Sequence, residues 1–529
     1  MSIAAPPAET AWLLHHILGF DAMPEADVLA VLEEATRAAE GIMAPLNQDG
    51  DRIGAVWRDG EVTVPPGFAE AHRAFAQGGW IGVAADADHG GQGLPQVLAY
   101  AAYEPFTSAN MALSLCPMLT HDAILLLEAH GTPDQRARFV PKLIDGTWTG
   151  TMCLTEPQSG SDLSGVRTRA APAGDGRYRI TGGKIYITYG EHAMTENILH
   201  LVLARLPDAP PGSAGISLFA VPKLHADGRR NGVRCQAIER KMGVHGSPTC
   251  VLAFEDAEGE LVGPAHKGLA CMFAMMNAAR IGVAMQGVAL AERAFRRAAD
   301  YAAERVQGGV AIERHPDVRR MLWTMRALAL GGRLLTLYSA LAPEPRASLL
   351  IPVAKAWATD AGIEAASLGV QVHGGAGFVE ATGAAQYLRD VRISAIYEGT
   401  NGIQALTLLR RGLLRDQGAA CGALLRDIQA ADVANPALRD AATAVADAAE
   451  WLRRATPRDA EAGATPFLAM LGTVVAGWLC AQVAAHEDAP AAARAAASVF
   501  VDQVLPRVHF LARAVATPTA ALVGAQPIA

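Results

Sequence analysis

The spacing of apolar residues changes twice along this chain, at Gly150 and again near Lys267. Before Gly150 the spacing is helical. In Asp27–Ile42 the apolar positions Val28, Val31, Leu32, Ala35, Ala38, Ala39 and Ile42 share one helix face, and Pro24 just ahead suits a helix start. His121–His130 and Pro133–Ile144 are predicted helices separated by Gly131, and His89–Pro95 is a loop by its glycines. From Gly150 the runs are short and β-branched or aromatic: Thr151–Thr155, Tyr178–Thr181, Lys184–Thr188, Leu199–Leu206, Ile216–Pro222 and Cys250–Phe254. Turn residues lie between them at Ala173–Gly176, Gly182–Gly183 and Pro207–Gly215, which is the grammar of a small antiparallel β domain. Helix returns at about Lys267. Met272–Leu290 is apolar nearly all round and predicts a central buried helix. Pro316–Leu341 and Ala347–Val372 continue the helical run, broken by Pro343 and Pro345. The expected class is therefore α+β, with a helical domain at 1–148, a β domain at 149–264, a helical bundle at 265–416 and a helical extension at 417–529.

The extension is alanine-rich. Leu438, Ala441, Val445, Ala448 and Leu452 are spaced as a helix seam. Pro466–Ala485 is almost free of charge and long enough to cross a bilayer. Gly472, Thr473, Gly477 and Gln482 dilute it, and no Lys or Arg closely flanks it. A buried bundle or dimer helix is expected rather than an integral membrane span, with membrane contact as the alternative.

Composition excludes other classes. A hydrophobic share of 51% with 19% charged residues describes a globular chain. A net charge of −8 argues against a nucleic-acid surface. The 7 cysteines form no CxxC pair and no metal-ligand spacing, as a reducing cytoplasm permits. The first Lys or Arg is Arg37, and the short apolar run Trp12–Phe20 contains His15 and His16, so no secretory signal is expected. With no GxGxxG and no GxxxxGK[ST], nucleotide binding by a βαβ unit is not expected.

The stretch that carries chemistry is Val391–Gln404, VRISAIYEGTNGIQ. Glu398 follows an apolar lead-in (Ile393, Ala395, Ile396) and precedes the small residues Gly399, Thr400 and Gly402. Burial would raise its pKa toward the range a general base needs. Taken alone, the residue reads more readily as a helix cap or a solvated turn, because Glu is rarely buried. YEGTNGIQ, however, resembles the catalytic segment of the acyl-CoA dehydrogenase family, and Gln371–Phe378 (QVHGGAGF) resembles its flavin-contacting segment at the expected short distance upstream.

Four further segments match the family in order, across roughly residues 40–415. Met152–Ser161 (MCLTEPQSGS) resembles the flavin strand. The likeness implies that Met152, Leu154 and Thr155 contact FAD and that Ser161 lies where flavin and CoA meet; an ordinary strand-to-turn transition is the plain alternative. In Lys184–Thr188 (KIYIT), Tyr186 stands where the family usually has Trp, and Thr188 matches a flavin-contacting Thr. Asn277 and Arg280, in NAAR, match a substrate-facing pair; for Arg280 a structural ion pair is the other reading. Arg305 and Gln307 (RVQ), with His315, match residues that hold FAD phosphates, although the usual FG that follows is Gly308–Gly309 here. Gln371, Gly374 and Gly375, then Thr400 and Gly402, complete the expected cofactor set; Gly399 and Arg410 join the expected substrate set. At Gly402 only a backbone role carries over. His245 and His373 are expected to be loop or core histidines.

The resemblance implies a helical N-terminal domain, a middle β domain, a C-terminal four-helix bundle and FAD as cofactor, with no metal. It implies that Glu398 removes the α proton of an acyl-CoA thioester, giving a trans-2-enoyl-CoA as in β-oxidation. The thioester oxygen would be held by the Glu398 backbone N–H and a ribityl hydroxyl of FAD. Electrons would pass to an electron-transferring flavoprotein, and a homodimer or homotetramer is expected. A flavin oxidase or monooxygenase on the same scaffold is the nearest rival; a non-catalytic nucleic-acid-binding relative is a distant one. The extension resembles the longer bacterial subgroup, whose substrates include medium and long acyl chains and 3-(methylthio)propanoyl-CoA. No residue chooses among these.

Overall fold

A computed structural model describes residues 3–431 and 435–516. In chain order the helices are α1 (Pro7–Trp12), α2 (Glu25–Ala38), α3 (Asn47–Ile53), α4 (Phe68–Gln77), α5 (Gln96–Ala109), α6 (Met111–His130), α7 (Pro133–Ile144), α8 (Gly268–Glu304), α9 (Pro316–Leu341), α10 (Arg346–His373), α11 (Ala384–Val391), α12 (Asn401–Thr407), α13 (Ala419–Ala430), α14 (Pro436–Arg454), α15 (Pro457–Ala485), α16 (Ala491–Val499) and α17 (Arg507–Val515). The strands are β1 (Val56–Arg58), β2 (Glu61–Thr63), β3 (Trp148–Cys153), β4 (Arg169–Gly174), β5 (Arg177–Thr188), β6 (Asn197–Arg205), β7 (Ile216–Pro222), β8 (Val233–Ile238), β9 (Thr249–Val262), β10 (Val306–Gln307) and β11 (Val310–Ala311). They form two compact units. One runs over Arg37–Ala99 and Ala109–Ala279; the other holds the residues up to Thr36, Tyr100–Ser108 and the chain from Arg280 on.

In the first of these units the main sheet closes on itself. β6 pairs with β4 and β7, β4 with β5, and β5 and β7 both with β9; β3 lies beside β6 and β8 beside β9. Closure leaves fewer free edges to protect. Its core is the buried set that includes Cys153, Ile180, Val202, Phe219 and Phe254. The antiparallel expectation holds for most ladders, but β3 runs parallel to β6, so the sheet is mixed. The two predicted runs Tyr178–Thr181 and Lys184–Thr188 are one strand, β5. Gly182–Gly183 does not end it, because the register shifts there as bulges and Gly182 takes φ +155°. β4 is exposed at all but one position, which hid its alternation, and Ala173–Gly174, read as turn residues, belong to it.

In the other unit α8 from Arg280 on, α9 and α10 are long and largely buried. α8 and α10 come close at glycines: a Cβ on Gly287 would lie 2.3 Å from the Ala358 carbonyl oxygen. A buried ion cluster joins four helices. Arg333 of α9 donates to Glu104 of α5 at 2.8 Å and to Glu292 of α8 at 3.1 Å; Arg326 donates to Glu292 at 2.8 Å and also to Glu9 of α1. Burial pushes the Glu292 carboxyl upward, but Arg326, Arg333 and Arg296 prevail and hold it at about 2. Charges this deep persist only when paired.

The extension packs within the same unit. The expected seam residues Leu438, Ala441, Val445, Ala448 and Leu452 are all buried on α14. α15 is long and apolar enough to cross a membrane by length and composition, and 78% of its most apolar window is buried in the protein. Gly472 lies against Trp357, whose indole N–H donates to Thr473 Oγ1 at 3.0 Å.

Candidate active site

Glu398 stands on a tight turn between the 3₁₀ segment Arg392–Ala395 and α12. Glu398 has φ +54° and Gly399 φ +88°, two left-handed residues in succession. A side chain resists that conformation, so such a residue persists only when its surroundings hold it. Several bonds do so. Gln404 Nε2 donates to the carbonyls of Glu398 (3.0 Å) and Gly399 (3.2 Å). Lys355 Nζ, from α10, donates to the Gly399 carbonyl at 2.9 Å and to Asn401 Oδ1 at 3.0 Å. Asn401 Nδ2 donates to Asp360 Oδ1 at 2.8 Å. Tyr397 donates its hydroxyl proton to Gln286. Thr400 then caps α12, its hydroxyl accepting the Ile403 N–H at 3.3 Å.

The electrostatics follow from this packing. Burial pushes the Glu398 carboxyl up to about 7, against the opposing pull of Arg280 and Lys355. Lys355 is fully buried, and desolvation brings its ammonium down to about 7 despite Glu398 and Asp360. Arg280, buried on α8, is lowered by burial and raised by Glu398. Asn277 precedes it by less than one turn of the same helix. The Glu398 carboxyl thus shares a poorly solvated site with the Arg280 guanidinium and with a Lys355 amine that itself titrates near neutral pH, and a carboxyl poised near neutral pH can act as a general base.

Beside the turn lies a cavity of about 480 Å³, lined by Asp360, Ile363, Arg392, Ile396, Thr400 and Gly402 among others. A Cβ on Gly402 would touch only Thr400 Oγ1, at 3.8 Å, so the backbone there is open to a ligand. The end of α10 is open too. Gly374 (φ +61°) and Gly375 have no atom within 4 Å of an added Cβ, and Gln371 is exposed. Arg305 and Gln307 are exposed beside a hairpin whose turn residues, Gly308 and Gly309, take φ +62° and +82°. That left-handed pair is the two-residue turn glycine favours, and it explains the departure from FG. His315 donates from Nε2 to the Gln307 carbonyl at 3.1 Å. His373 is a core histidine, stacked 4.5 Å from Tyr301. Arg410 pairs with Glu461 of α15 at 2.6 Å on the surface.

In the β unit the flavin-strand segment and Lys184–Thr188 are side by side. Ile185 N–H donates to the Thr155 carbonyl at 2.9 Å, and Lys184 Nζ to the Leu154 carbonyl at 3.0 Å. β3 itself ends at Cys153, so Leu154 and Thr155 lie just past it, with Met152 on its last turn of pleat. Tyr186 takes φ +62° at the bulge and is 60% exposed, its ring turned outward. Thr188 is partly buried at the end of β5, and Ser161 is exposed in the following loop. That loop is anchored by Glu156, whose carboxylate accepts from Lys184, the Arg167 and Thr168 N–H groups and the Thr168 hydroxyl.

Lys355 and Gln286 are site residues outside every matched motif, while Asn401 and Gln404 lie within YEGTNGIQ but the motif assigns them no role of their own. Lys355 did leave a signal: it is the lone charge between Ser348 and Thr359, in a run otherwise as apolar as the one Arg280 interrupts.

The chain is similar throughout to one group of proteins. Descriptions of the acyl-CoA dehydrogenase N-terminal, middle and C-terminal domains match residues 29–147, 151–257 and 266–413, and an acetyl-CoA dehydrogenase C-terminal-like domain matches 419–526. The 3-methylmercaptopropionyl-CoA dehydrogenase of Ruegeria pomeroyi is 44% identical, covering 90% of each chain. A broad-specificity linear acyl-CoA dehydrogenase of Mycobacterium tuberculosis is 35% identical over 75% of this chain and 72% of its own. Among solved structures, butyryl-CoA dehydrogenase from Megasphaera elsdenii aligns with a TM-score of 0.65 at 26% identity, over 77% of this chain and 100% of its own. An acyl-CoA dehydrogenase from Bacillus anthracis complexed with FAD shares the fold (TM-score 0.78, 20% identity, 94% of this chain and 88% of its own). With its helical, β and helical segments in that order and every one of them matched, the chain belongs to the acyl-CoA dehydrogenase family.

Proposed function

We propose that this protein is an FAD-dependent dehydrogenase that oxidises a linear acyl-CoA thioester to its trans-2-enoyl-CoA, with Glu398 as the base. The observation that carries the reading is Glu398 itself, held left-handed by its neighbours and brought by burial to about 7. The residues fit the cofactor. The open glycines at 374, 375 and 402 let backbone N–H groups reach a ligand, and Arg305 offers a permanently charged fork for phosphate. Within the β unit, Leu154, Thr155, Tyr186 and Thr188 offer neutral contacts suited to a flat heteroaromatic ring. Bound FAD supplies the acceptor for the β hydrogen and its electron pair.

The protein's own part is acid–base and electrostatic. The Glu398 carboxylate takes the α proton of the thioester, forming the bond to hydrogen as the C–H pair moves into the new double bond. Its backbone N–H is suited to hold the thioester oxygen, where negative charge develops. Arg280 and Lys355 keep a usable fraction of Glu398 ionised near neutral pH. Ser161, Asn277, Gly399 and Arg410 complete the proposed substrate contacts. The acceptor is an electron-transferring flavoprotein, the compartment is the cytoplasm, and the assembly is a homodimer or homotetramer.

The test is anaerobic mixing of the purified flavoprotein with acyl-CoA thioesters of rising length, 3-methylmercaptopropionyl-CoA included. Bleaching of the flavin band by at least one linear thioester supports the reading. Bleaching by none, or rapid oxygen consumption in air without an added acceptor, contradicts it.

A further inference from the structure

We propose that Lys355 is a positioning residue for the base: its buried ammonium ties the Gly399 carbonyl and the Asn401 side chain to α10, fixes the left-handed turn at Glu398, and faces that carboxyl with positive charge. The inference rests on the reading of Glu398 as the base and goes beyond it. Three observations carry it. Lys355 is 0% exposed, yet its Nζ makes both bonds to the loop that bears Glu398, at 2.9 and 3.0 Å. An ammonium this deep is costly unless its protons are used, and two are used on that loop. The third observation is the strain it opposes, since Glu398 and Gly399 both have positive φ and the restraints fall on the carbonyls that flank them.

The charged groups around the pair come from several elements: Arg280 on α8, Asp360 farther along α10, Arg392 on the 3₁₀ segment and Arg411 on the π segment Leu408–Leu414. Of these, Arg280 and Lys355 act directly on Glu398, and both favour its ionised form. Removing Lys355 therefore has two separable effects. The turn loses a restraint, which lowers the rate, and the carboxyl loses a cation, which moves its titration upward.

The test uses the holoenzyme with Lys355→Met and Lys355→Gln, the latter keeping a donor without the charge. The rate of anaerobic flavin reduction by acyl-CoA is followed against pH. The Glu398 carboxyl is titrated separately by infrared difference against Glu398→Gln. In Lys355→Met we expect at least a tenfold slower reduction at pH 7, acyl-CoA binding within about threefold of the parent, and a carboxyl titration displaced upward by about one pH unit, the smaller end of a close-charge effect. Lys355→Gln should recover part of the rate while keeping the displaced titration. A Lys355→Met protein with parent rate and parent titration overturns the proposal. Glu398→Gln separates the two readings: if it reduces flavin as fast as the parent, the base assignment fails, whereas if it is inactive and Lys355→Met is unaltered, only the inference about Lys355 fails.

Discussion

Lys184 Nζ lies 2.8 Å from Glu156 Oε1, and both side chains are buried, at 0% and 4% exposure. The pair fastens the loop after β3 to strand β5. Burial pushes Glu156 upward, but Lys184 and the hydrogen bonds from Thr168 and Arg167 prevail and hold it at about 2. Removing one partner leaves an uncompensated buried charge, which costs about 3–5 kcal/mol. Glu156→Ala should therefore lower the melting temperature markedly and weaken FAD retention, whereas the paired change Glu156→Leu with Lys184→Met should recover much of the stability. The sign with pH follows from the lowered carboxyl: its contribution is present above the ordinary 4.5 and is lost as pH falls toward 2. Calorimetry of both variants checks this.

His72, His192 and His200 are buried in the β unit and held neutral. Burial lowers all three, His72 to about 4 and His200 to about 3. The unfolded chain takes up protons below about 6.5, but the folded one does not. Stability should fall as pH drops from about 6.5, by roughly 2 kcal/mol per histidine at pH 5. Melting curves between pH 7 and pH 5 measure the fall, and His72→Leu should flatten it by about one histidine's share.

Gly399 has φ +88°, and a Cβ there would lie 2.7 Å from Gln404 Nε2, the atom that holds the turn. Gly399→Ala should cost about 1–2 kcal/mol in backbone conformation alone and displace Glu398. The expected result is flavin reduction at least tenfold slower, with FAD still bound. Stopped-flow absorbance measures it.

Gly287 meets the Ala358 carbonyl, where a Cβ would stand at 2.3 Å. α8 carries Arg280 and α10 carries Lys355, so this contact sets the spacing of the two cations beside Glu398. Gly287→Ala should destabilise the protein by about 1–3 kcal/mol through overpacking. Thermal unfolding checks it.

Much of this was legible in the sequence because it depends on local periodicity. β7 (Ile216–Pro222) and α9 (Pro316–Leu341) fall where their patterns place them, and α10 differs by one residue at each end. The strand β4 was not legible, because its side chains face water and carry no alternation. The parallel pairing of β3 with β6 was hidden for another reason: pairing direction is a property of topology, not of the strand. At the site, Glu398 could be singled out because it lies in a motif. Lys355 lies 43 residues away along the chain and reaches the turn only through the folding of α10 against it. The buried Glu9–Arg326 contact, 317 residues apart, has no local signature at all.

The central claim is that Glu398 removes the α proton, and one measurement meets it directly. Purified parent and Glu398→Gln proteins, each with FAD bound, are mixed anaerobically with the thioester that the parent oxidises best. Loss of a general base should slow bleaching of the flavin by about a hundredfold or more, with thioester binding retained. A variant that bleaches its flavin within a few-fold of the parent rate contradicts the account.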